Sequence, residues 1–468
     1  MTGEDRSMNP RGRDGDRRAV VARWSITGEL QTTTASQIGS REGDVCDATF
    51  DRTPDGQAFL AGSTLAGALR STLSDRRQGY RSQGEPEVAR RLFGDAEERE
   101  SPAIVFDSVA DGVADSSIRD GVRIVPETGT ADDTFKFDRE VALPGVRFPI
   151  RVDLVVTEGL DEREVLGALV DALDGLSDGS IRLGARKSRG LGACRASDYR
   201  ARRFDLNTQQ GWQDYAASDP EKPTRDLALH PTARAAVAAA HGPDLAAGPD
   251  CRRKAVFTLD LEVNGTLLIR TPGVAADDPD AVHLSEQGRQ MLSGTSLAGA
   301  LRAHAGRVLH TLQHLGLVKD NGVSVEGLFG SRPREGDRSA VFCASRVRVD
   351  EAVLSNDSRV YRQSRNRIDR FTGGTVDQAL FEEQPCVGGR ATVQVDILNP
   401  SPAEIGLVAL VARDLCDGLL PLGGGASVGR GVMKGCARVC VEPGAGTVGF
   451  PELQAYVDAL AHRPEGSA

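Results

Sequence analysis

The sequence predicts an α+β fold, made of two tandem ferredoxin-like (RRM-like) domains with inserted loops. Three observations predict this architecture. A long segment of the chain is repeated, and each copy opens on a strand of alternating polarity. Each copy then carries two helices that are separated by strands and followed by a glycine-rich loop and a closing strand. We therefore expect two homologous domains in one chain.

The repeat is the strongest of these signals. Residues 60–70 read LAGSTLAGALR and residues 292–302 read LSGTSLAGALR, a match that chance does not explain. Three weaker matches follow it: residues 92–94 resemble 328–330, residues 104–106 resemble 340–342, and residues 184–192 resemble 424–431. The chain is therefore divided into a disordered leader (1–17), domain 1 (18–204), a solvated linker with an Ala-rich helical stretch (205–252), domain 2 (253–445), and a C-terminal helix with a polar tail (446–468).

Local patterns predict the elements of each domain. Val20, Ala22, Trp24 and Ile26 alternate with polar residues, which indicates a half-buried strand. The repeated segment predicts a helix with Ser63 or its counterpart Thr295 as the N-cap, and its first N–H groups suit a phosphate.

The second helix of each domain has a capping box, 161–164 in domain 1 and 401–404 in domain 2. Strands precede and follow both helices. The resulting order of strand, helix, strands, helix and strand is that of a ferredoxin-like domain, whose sheet often binds RNA.

Composition limits the possible functions. The net charge of −10 argues against nonspecific binding to phosphate. A local basic groove is still compatible with it, because salt screens the effect of exposed acidic residues that lie more than about 8–10 Å away. No run of 18 apolar residues and no secretory signal occur, so we expect a cytoplasmic protein without membrane contact. The eight cysteines form no CxxC pair, and we expect reduced thiols and no structural metal.

Several motifs together resemble the RAMP superfamily of CRISPR-associated proteins. They are the two GSxLxGxLR-type helix starts at 62–70 and 294–302, the two LFG triplets, RIDRFTGG at 367–374, and the two glycine-rich loops. Two such domains in one chain resemble fused, Csm/Cmr-like backbone subunits of Type III effector complexes. The resemblance implies thumb-like hairpins, binding of crRNA along a filament, cleavage of target RNA at regular intervals, and other CRISPR effector subunits as partners.

The resemblance also implies one catalytic aspartate in the loop before each repeated helix. Asp47 fits this position in domain 1 and Asp280 fits it in domain 2, with Asp44 and Asp51 as alternatives. A carboxylate can position the 2′-hydroxyl of RNA or hold a divalent cation such as Mg²⁺, the cofactor that the resemblance implies. One carboxylate per site suffices if the bound RNA is distorted toward in-line geometry. The simpler interpretation is that both are solvated loop residues.

Cations near these motifs are candidates for binding RNA. The glycine-rich loops let backbone approach a phosphate, and segment 359–370 has five arginines in twelve residues. Solvated turns and charged surfaces are the simpler interpretation of both. The candidate RNA-binding residues are Ser63, Arg70, Lys136, Arg186, Lys187, Arg189, Arg302, Arg362, Arg367, Arg370, Ser427 and Arg430.

Three other functions remain open. The chain could be a structural crRNA-binding backbone that does not cut RNA. A guide-processing endoribonuclease usually needs a histidine near the first helix, and domain 1 has none before His230. A phosphate-binding metabolic enzyme would explain the glycine-rich loops but not the tandem architecture.

Overall fold

The computed structural model describes residues 19–39, 46–95, 100–125, 128, 130–241, 245–273, 277–318, 322–331, 342–441, 447–448 and 453–461. The expected leader, the end of the polar tail and Asp44 lie outside the described residues. Among the helices in this part of the chain, none has the length and apolarity needed to cross a bilayer.

Domain 1 has a central four-stranded antiparallel sheet. The strands of the whole domain are β1 (Val20–Thr32), β2 (Gln57–Leu60), β3 (Ala103–Val105), β4 (Ser108–Val113), β5 (Ser116–Ile124), β6 (Ala131–Ala142), β7 (Arg147–Thr157) and β8 (Cys194–Asp205). Its helices are α1 (Gly62–Gln78), α2 (Glu87–Phe93) and α3 (Glu162–Ser177), with a 3-10 turn at Lys187–Arg189. The sheet order β3-β7-β1-β8 is the ferredoxin-like order, which confirms the predicted fold class.

The core of domain 1 lies between this sheet and its helices. The alternating residues Ala22, Trp24 and Ile26 of β1 are buried, as their spacing predicts. From the other side, α1 contributes Leu65 and Leu69 to the same cluster. The hydrophobic face of the sheet is therefore covered by α1 and α3.

The segment between the domains packs on domain 1, and most of residues 207–232 are exposed, as in a solvated linker. It contains α4 (Gln209–Ala217) and α5 (Ala233–His241), and Val237 of α5 belongs to the domain 1 core. Residues 206–232, which we call the strap, cross the sheet face opposite α1 and α3. There Tyr215 accepts a hydrogen bond from Arg23 (2.8 Å), and Thr224 bonds Thr27 (2.6 Å). This sheet face is therefore covered.

Domain 2 repeats the topology of domain 1. Its strands are β9 (Lys254–Val263), β10 (Thr266–Leu267), β11 (Arg270–Thr271), β12 (Ala281–His283), β13 (Ser285–Glu286), β14 (Arg289–Leu292), β15 (Val347–Val349), β16 (Ala352–Val353), β17 (Arg359–Val360), β18 (Gln363–Ile368), β19 (Thr375–Gln384), β20 (Cys386–Val387), β21 (Arg390–Leu398), β22 (Met433–Val441) and β23 (Thr447–Val448). Its helices are α6 (Gly294–His314), α7 (Val325–Phe329), α8 (Pro402–Cys416) and α9 (Gln454–Ala461), with a 3-10 turn at Ala426–Val428.

The central sheet of domain 2 has the order β15-β21-β9-β22-β23, the domain 1 order with one added edge strand. Strand β15 occupies the place of β3, so residues 347–349 are the counterpart of 103–105. The expected match of 104–106 with 340–342 is therefore wrong, and residues 340–341 lie outside the described part. α9 packs against α8, where a side chain on Gly406 would collide with the backbone of Tyr456.

The repeated helix starts are held by glycine and not by the predicted caps. α1 begins at Gly62, so Ser63 lies within its first turn, and Asp107 Oδ1 accepts the Gly62 N–H at 2.7 Å. α6 begins at Gly294, one residue before Thr295, and likewise has no side-chain cap. A side chain on Gly62 would collide with the end of β3, which explains the glycine.

The predicted caps of the second helices are confirmed. Asp161 accepts hydrogen bonds from the N–H groups of Arg163 and Glu164 at the start of α3. Ser401 and Glu404 form the reciprocal capping box at the start of α8.

Candidate nucleic-acid interface

A two-stranded hairpin is inserted in each domain, β5–β6 in domain 1 and β18–β19 in domain 2. The RIDRFTGG motif forms the tip of the second hairpin. Asp369 Oδ1 closes this turn by accepting the N–H groups of Phe371 (2.9 Å) and Thr372 (2.8 Å), which lowers the pKa of Asp369. Arg367 and Arg370 are exposed at the tip, as a surface that contacts RNA requires.

Asp47 and Asp280 lie at equivalent places, at the base of the two hairpins. Asp47 Oδ2 accepts the backbone N–H of Asp138 on β6 at 2.9 Å. Asp280 Oδ2 accepts the backbone N–H of Glu382 on β19, also at 2.9 Å. The residues that follow pair in the same way: Ala48 pairs in parallel with Arg139, and Ala281 pairs in parallel with Glu383. The two aspartates chosen from motif spacing are thus structural counterparts, and both are exposed.

The domain 1 site contains a second carboxylate that the sequence interpretation missed. The Asp47 N–H donates to Asp138 Oδ1 at 2.9 Å, so the two carboxylates are neighbours. Asp47 Oδ1 has no hydrogen-bond partner among the described residues. Mg²⁺ is commonly held by one or two carboxylates together with substrate phosphates and water, and these groups fit that pattern. Asp51, the alternative candidate, is half-buried beside Gly39.

Cations from two elements meet near Asp47. The guanidinium of Arg186 lies 4.7 Å from the centroid of the Phe137 ring, and that of Arg139 lies 5.0 Å from it. Burial, with Arg139 and Arg189 nearby, lowers the pKa of Arg186 to about 9. Burial also lowers the pKa of Arg139, and the charge of Asp47 opposes that shift. The glycine-rich loop and one face of the domain 1 hairpin therefore form one cationic surface, and Lys136 is exposed on the other face of the hairpin strand.

The two glycine-rich loops align in a register that differs from the predicted one. A side chain on Gly192 would collide with the carbonyl of Leu183, and a side chain on Gly431 would collide with that of Leu422. These matching contacts pair 192 with 431, not 190 with 431. Arg430 therefore corresponds to the buried Leu191.

Arg430 is a structural residue, which corrects its assignment to RNA. Its side chain is 3% exposed, and Nη1 donates to Glu383 Oε2 at 2.7 Å. Nη2 donates to Gln363 Oε1 at 2.8 Å. The guanidinium joins the loop to the hairpin and is not accessible to a ligand. Ser427 of the same loop remains exposed.

Three other predicted cations also have protein partners. Arg302 Nη1 donates to the carbonyls of Phe329 (2.9 Å) and Gly330 (2.7 Å), so it holds the end of the LFG helix. Arg70 forms an ion pair with Glu85, and Arg362 forms one with Glu382. Lys187, Arg189 and Ser63 are exposed.

The glycine-rich loop of domain 1 lies against domain 2. A side chain on Gly294 would approach the Arg189 carbonyl to 2.6 Å, so glycine is needed where α6 meets this loop. Arg119 of β5 also crosses the junction, where it forms buried ion pairs with Glu286 and Glu351. Arg119 thus joins the two domains.

Comparison with known proteins agrees with the tandem fold. A family model described as the RAMP superfamily matches residues 29–195 and 264–434, one match on each domain. No curated protein matches the chain. Because the two matches cover more than half of the sequence and both have the ferredoxin-like topology, the chain belongs to the RAMP superfamily, which is associated with CRISPR systems and RNA binding.

Proposed function

We propose that the chain is a backbone subunit of a Type III CRISPR effector complex that binds crRNA and cleaves the complementary target RNA once at each domain. The observation that carries this proposal is the equivalence of Asp47 and Asp280. Each is an exposed carboxylate bonded to the same position of an inserted hairpin. The recurrence of one exposed carboxylate at the same hydrogen-bonding position in both domains supports a shared role for Asp47 and Asp280.

The chemistry follows from the placement of these carboxylates. Cleavage needs the 2′-oxygen of the RNA to attack the adjacent phosphorus in line with the leaving 5′-oxygen. Asp47, or Asp280 in the other domain, would orient the 2′-hydroxyl and accept its proton, while Arg186 and Lys136 would hold neighbouring phosphates. Bound Mg²⁺ would supply charge stabilisation at the phosphate, held by Asp47 and Asp138 in domain 1.

The contact between the domains supports other effector subunits as partners. Within the chain, the loop of domain 1 docks on the helix start at Gly294. The corresponding loop of domain 2 exposes Val428, and a side chain on Gly429 would meet no described atom within 4 Å. A neighbouring subunit with the same fold would fit this free end. Such a complex would act on RNA in the cytoplasm.

A structural backbone that does not cut remains the second candidate, mainly for domain 2. There the carboxylates Glu382 and Glu383 pair with arginines that would otherwise face a phosphate. Cutting by domain 1 alone is compatible with this arrangement.

The test is cleavage of target RNA by the assembled, guide-loaded complex. We expect Asp47→Asn to slow the cut assigned to domain 1 by about 10²-fold or more, and Asp280→Asn to act on the other cut, while crRNA binding is kept. Asp55→Asn is the matched control, because Asp55 is an exposed acid in the same loop as Asp47. Wild-type cleavage at both positions in the double variant would contradict the catalytic assignment.

A further inference from the structure

A cavity of about 640 Å³ lies where the two domains meet. Domain 1 lines it with the outer face of α1, the residues that follow α1, and the start of the glycine-rich loop. Domain 2 lines it with segment 344–348, which leads into β15. We call it the junction cavity. Ligands in it would touch both domains at once.

The junction cavity has an excess of positive charge. Seven arginines and lysines line it, against the two carboxylates Asp75 and Glu85. Three of these cations have carboxylate partners; they are Arg70, Arg182 and Arg252. The other four, Arg81, Arg186, Lys187 and Arg348, form no ion pair with a carboxylate of the described residues, although the charge of Asp75 acts on Arg81 and Arg348 and that of Asp396 acts on Arg348. The described carboxylates therefore offset the positive charge of the lining only in part.

Arg348 lies close enough to Arg81 and Lys187 to lower the pKa of both. Arg81 donates to the carbonyls of Ala344 and Ser345 across the junction, and its pKa is lowered by burial and by Arg348. Burial also lowers the pKa of Arg348. The pKa of Lys187 is lowered by burial, by Arg348 and by Arg81. Like charges in a partly desolvated place are unfavourable alone and favourable around an anion.

We infer that the junction cavity binds consecutive phosphates of single-stranded RNA, with Lys187 from domain 1 and Arg348 from domain 2 as phosphate ligands. The inference rests on the proposed function, because it assumes that the chain binds RNA. The lining runs from the outer face of α1 to segment 344–348, so one nucleotide strand could contact cations of both domains. The outer face of α1 adds space for such a backbone, since a side chain on Gly67 would meet no described atom within 4 Å.

The contributions of both domains have a consequence for stability. RNA that bridges Lys187 and Arg348 binds only while the domains are in contact, so it stabilises the junction by mass action. Arg348 was not a candidate from the sequence, because the segment around it carries no motif. It becomes part of a basic surface only where the two domains meet.

The test measures binding of a labelled single-stranded RNA in an Asp47→Asn/Asp280→Asn background, so that cleavage does not interfere. We expect Lys187→Gln and Arg348→Gln each to weaken binding on the order of tenfold. Each should also make the plot of log K against log salt shallower by about 0.7, the value for one lost contact to a single strand. Arg438→Gln is the matched control, because it removes an exposed arginine that does not line the cavity.

Two results would overturn the inference. One is affinity and salt dependence for both variants that match those of Arg438→Gln. The other is saturation of the cavity by pyrophosphate without any loss of RNA affinity, which would make it a small-anion site. Lys187 is exposed, so its variant tests the inference even if Arg348→Gln fails to fold. If Lys187→Gln and Arg348→Gln leave RNA binding unchanged while the protein with both aspartates cleaves normally, only this inference is contradicted. If RNA binds normally but cleavage does not depend on Asp47 or Asp280, only the catalytic proposal is contradicted.

Discussion

The two domains have the same topology and the same aspartate, but they differ where the glycine-rich loop meets the hairpin. In domain 1 the contact is an aromatic ring, Phe137, beneath two guanidinium groups. In domain 2 the contact is a buried ion pair between Arg430 and Glu383, joined by Arg270 at 2.9 Å.

This difference decides what the cations at the two places can do. Arg186 in domain 1 has no carboxylate partner among the described residues, so a phosphate can take that role. Arg430 and Arg362 in domain 2 already have partners, and they stabilise the hairpin instead. The same contact between loop and hairpin can thus serve binding in one copy and stability in the other, although Arg186 and Arg430 do not occupy equivalent positions.

The largest effect should come from breaking the domain 2 contact. Arg430→Gln leaves the carboxylate of Glu383, which is 4% exposed, without its buried partner. Loss of one member of a buried pair costs about 3–5 kcal/mol, and we expect a loss within this range because the pairs of Glu383 with Arg270 and Arg365 remain. The measurement is urea unfolding followed by circular dichroism. Trp24 fluorescence reports domain 1 separately, because both tryptophans precede domain 2.

The control restores neutrality. In Arg430→Leu/Glu383→Gln, domain 2 acquires the apolar residue that domain 1 has at Leu191, and most of the lost stability should return. A double variant as unstable as Arg430→Gln would show that the ion pair is not the source of the effect.

A somewhat smaller effect should separate the domains by their acid sensitivity. His283 Nδ1 accepts the Ile269 N–H at 3.1 Å, and Nε2 donates to the Met291 carbonyl at 3.0 Å, so the buried ring is neutral. Burial lowers the pKa of His283 from 6.5 to about 4. As the pH falls from 6.5 to 4, the unfolded chain takes up a proton and the folded chain does not. Domain 2 should lose about 3 kcal/mol in this window.

Domain 1 has Phe50 at the position that corresponds to His283, so its stability should not show this histidine-dependent loss between pH 6.5 and 4. Urea unfolding at several pH values measures it, and His283→Gln should flatten the dependence between pH 6.5 and 4. The same slope in the wild type and in His283→Gln would refute the assignment.

The smallest effect concerns the charge of the second hairpin. Glu382→Gln releases Arg362 from its ion pair, and the free guanidinium can then contact a phosphate. We expect RNA to bind about threefold tighter, with a salt dependence steeper by about 0.7. Asp357→Asn removes the same charge from an exposed loop of domain 2 and serves as the control. An equal gain in both variants would mean that only net charge matters.

Much of the fold could be predicted from the sequence, because the repeat and the capping boxes are local signals. The spacing from each aspartate to the repeated helix also located Asp47 and Asp280 at equivalent positions. The loop register could not be predicted, because glycines recur every second residue at 190–192 and 429–431 and allow a slip of two.

The contacts between distant segments could not be predicted either. Arg119 reaches Glu351, far along the chain, and neither residue has a local pattern that marks its partner. The strap is polar, and polar composition predicts solvent exposure. Most strap residues are exposed, but the strap is held on the sheet by hydrogen bonds, such as the one between Thr224 and Thr27, which no hydrophobic periodicity marks.

The strap also limits how the molecule can be divided. A half-molecule that ends at residue 204 would lose Val237 from its core and would expose the fully buried Asp153 to water. The segment after α5 belongs to the first half too, because Leu245 packs against the same core and the Gly248 N–H donates to Asp171. Any hybrid protein that exchanges halves with a relative should therefore be joined after residue 249 and not at the end of β8.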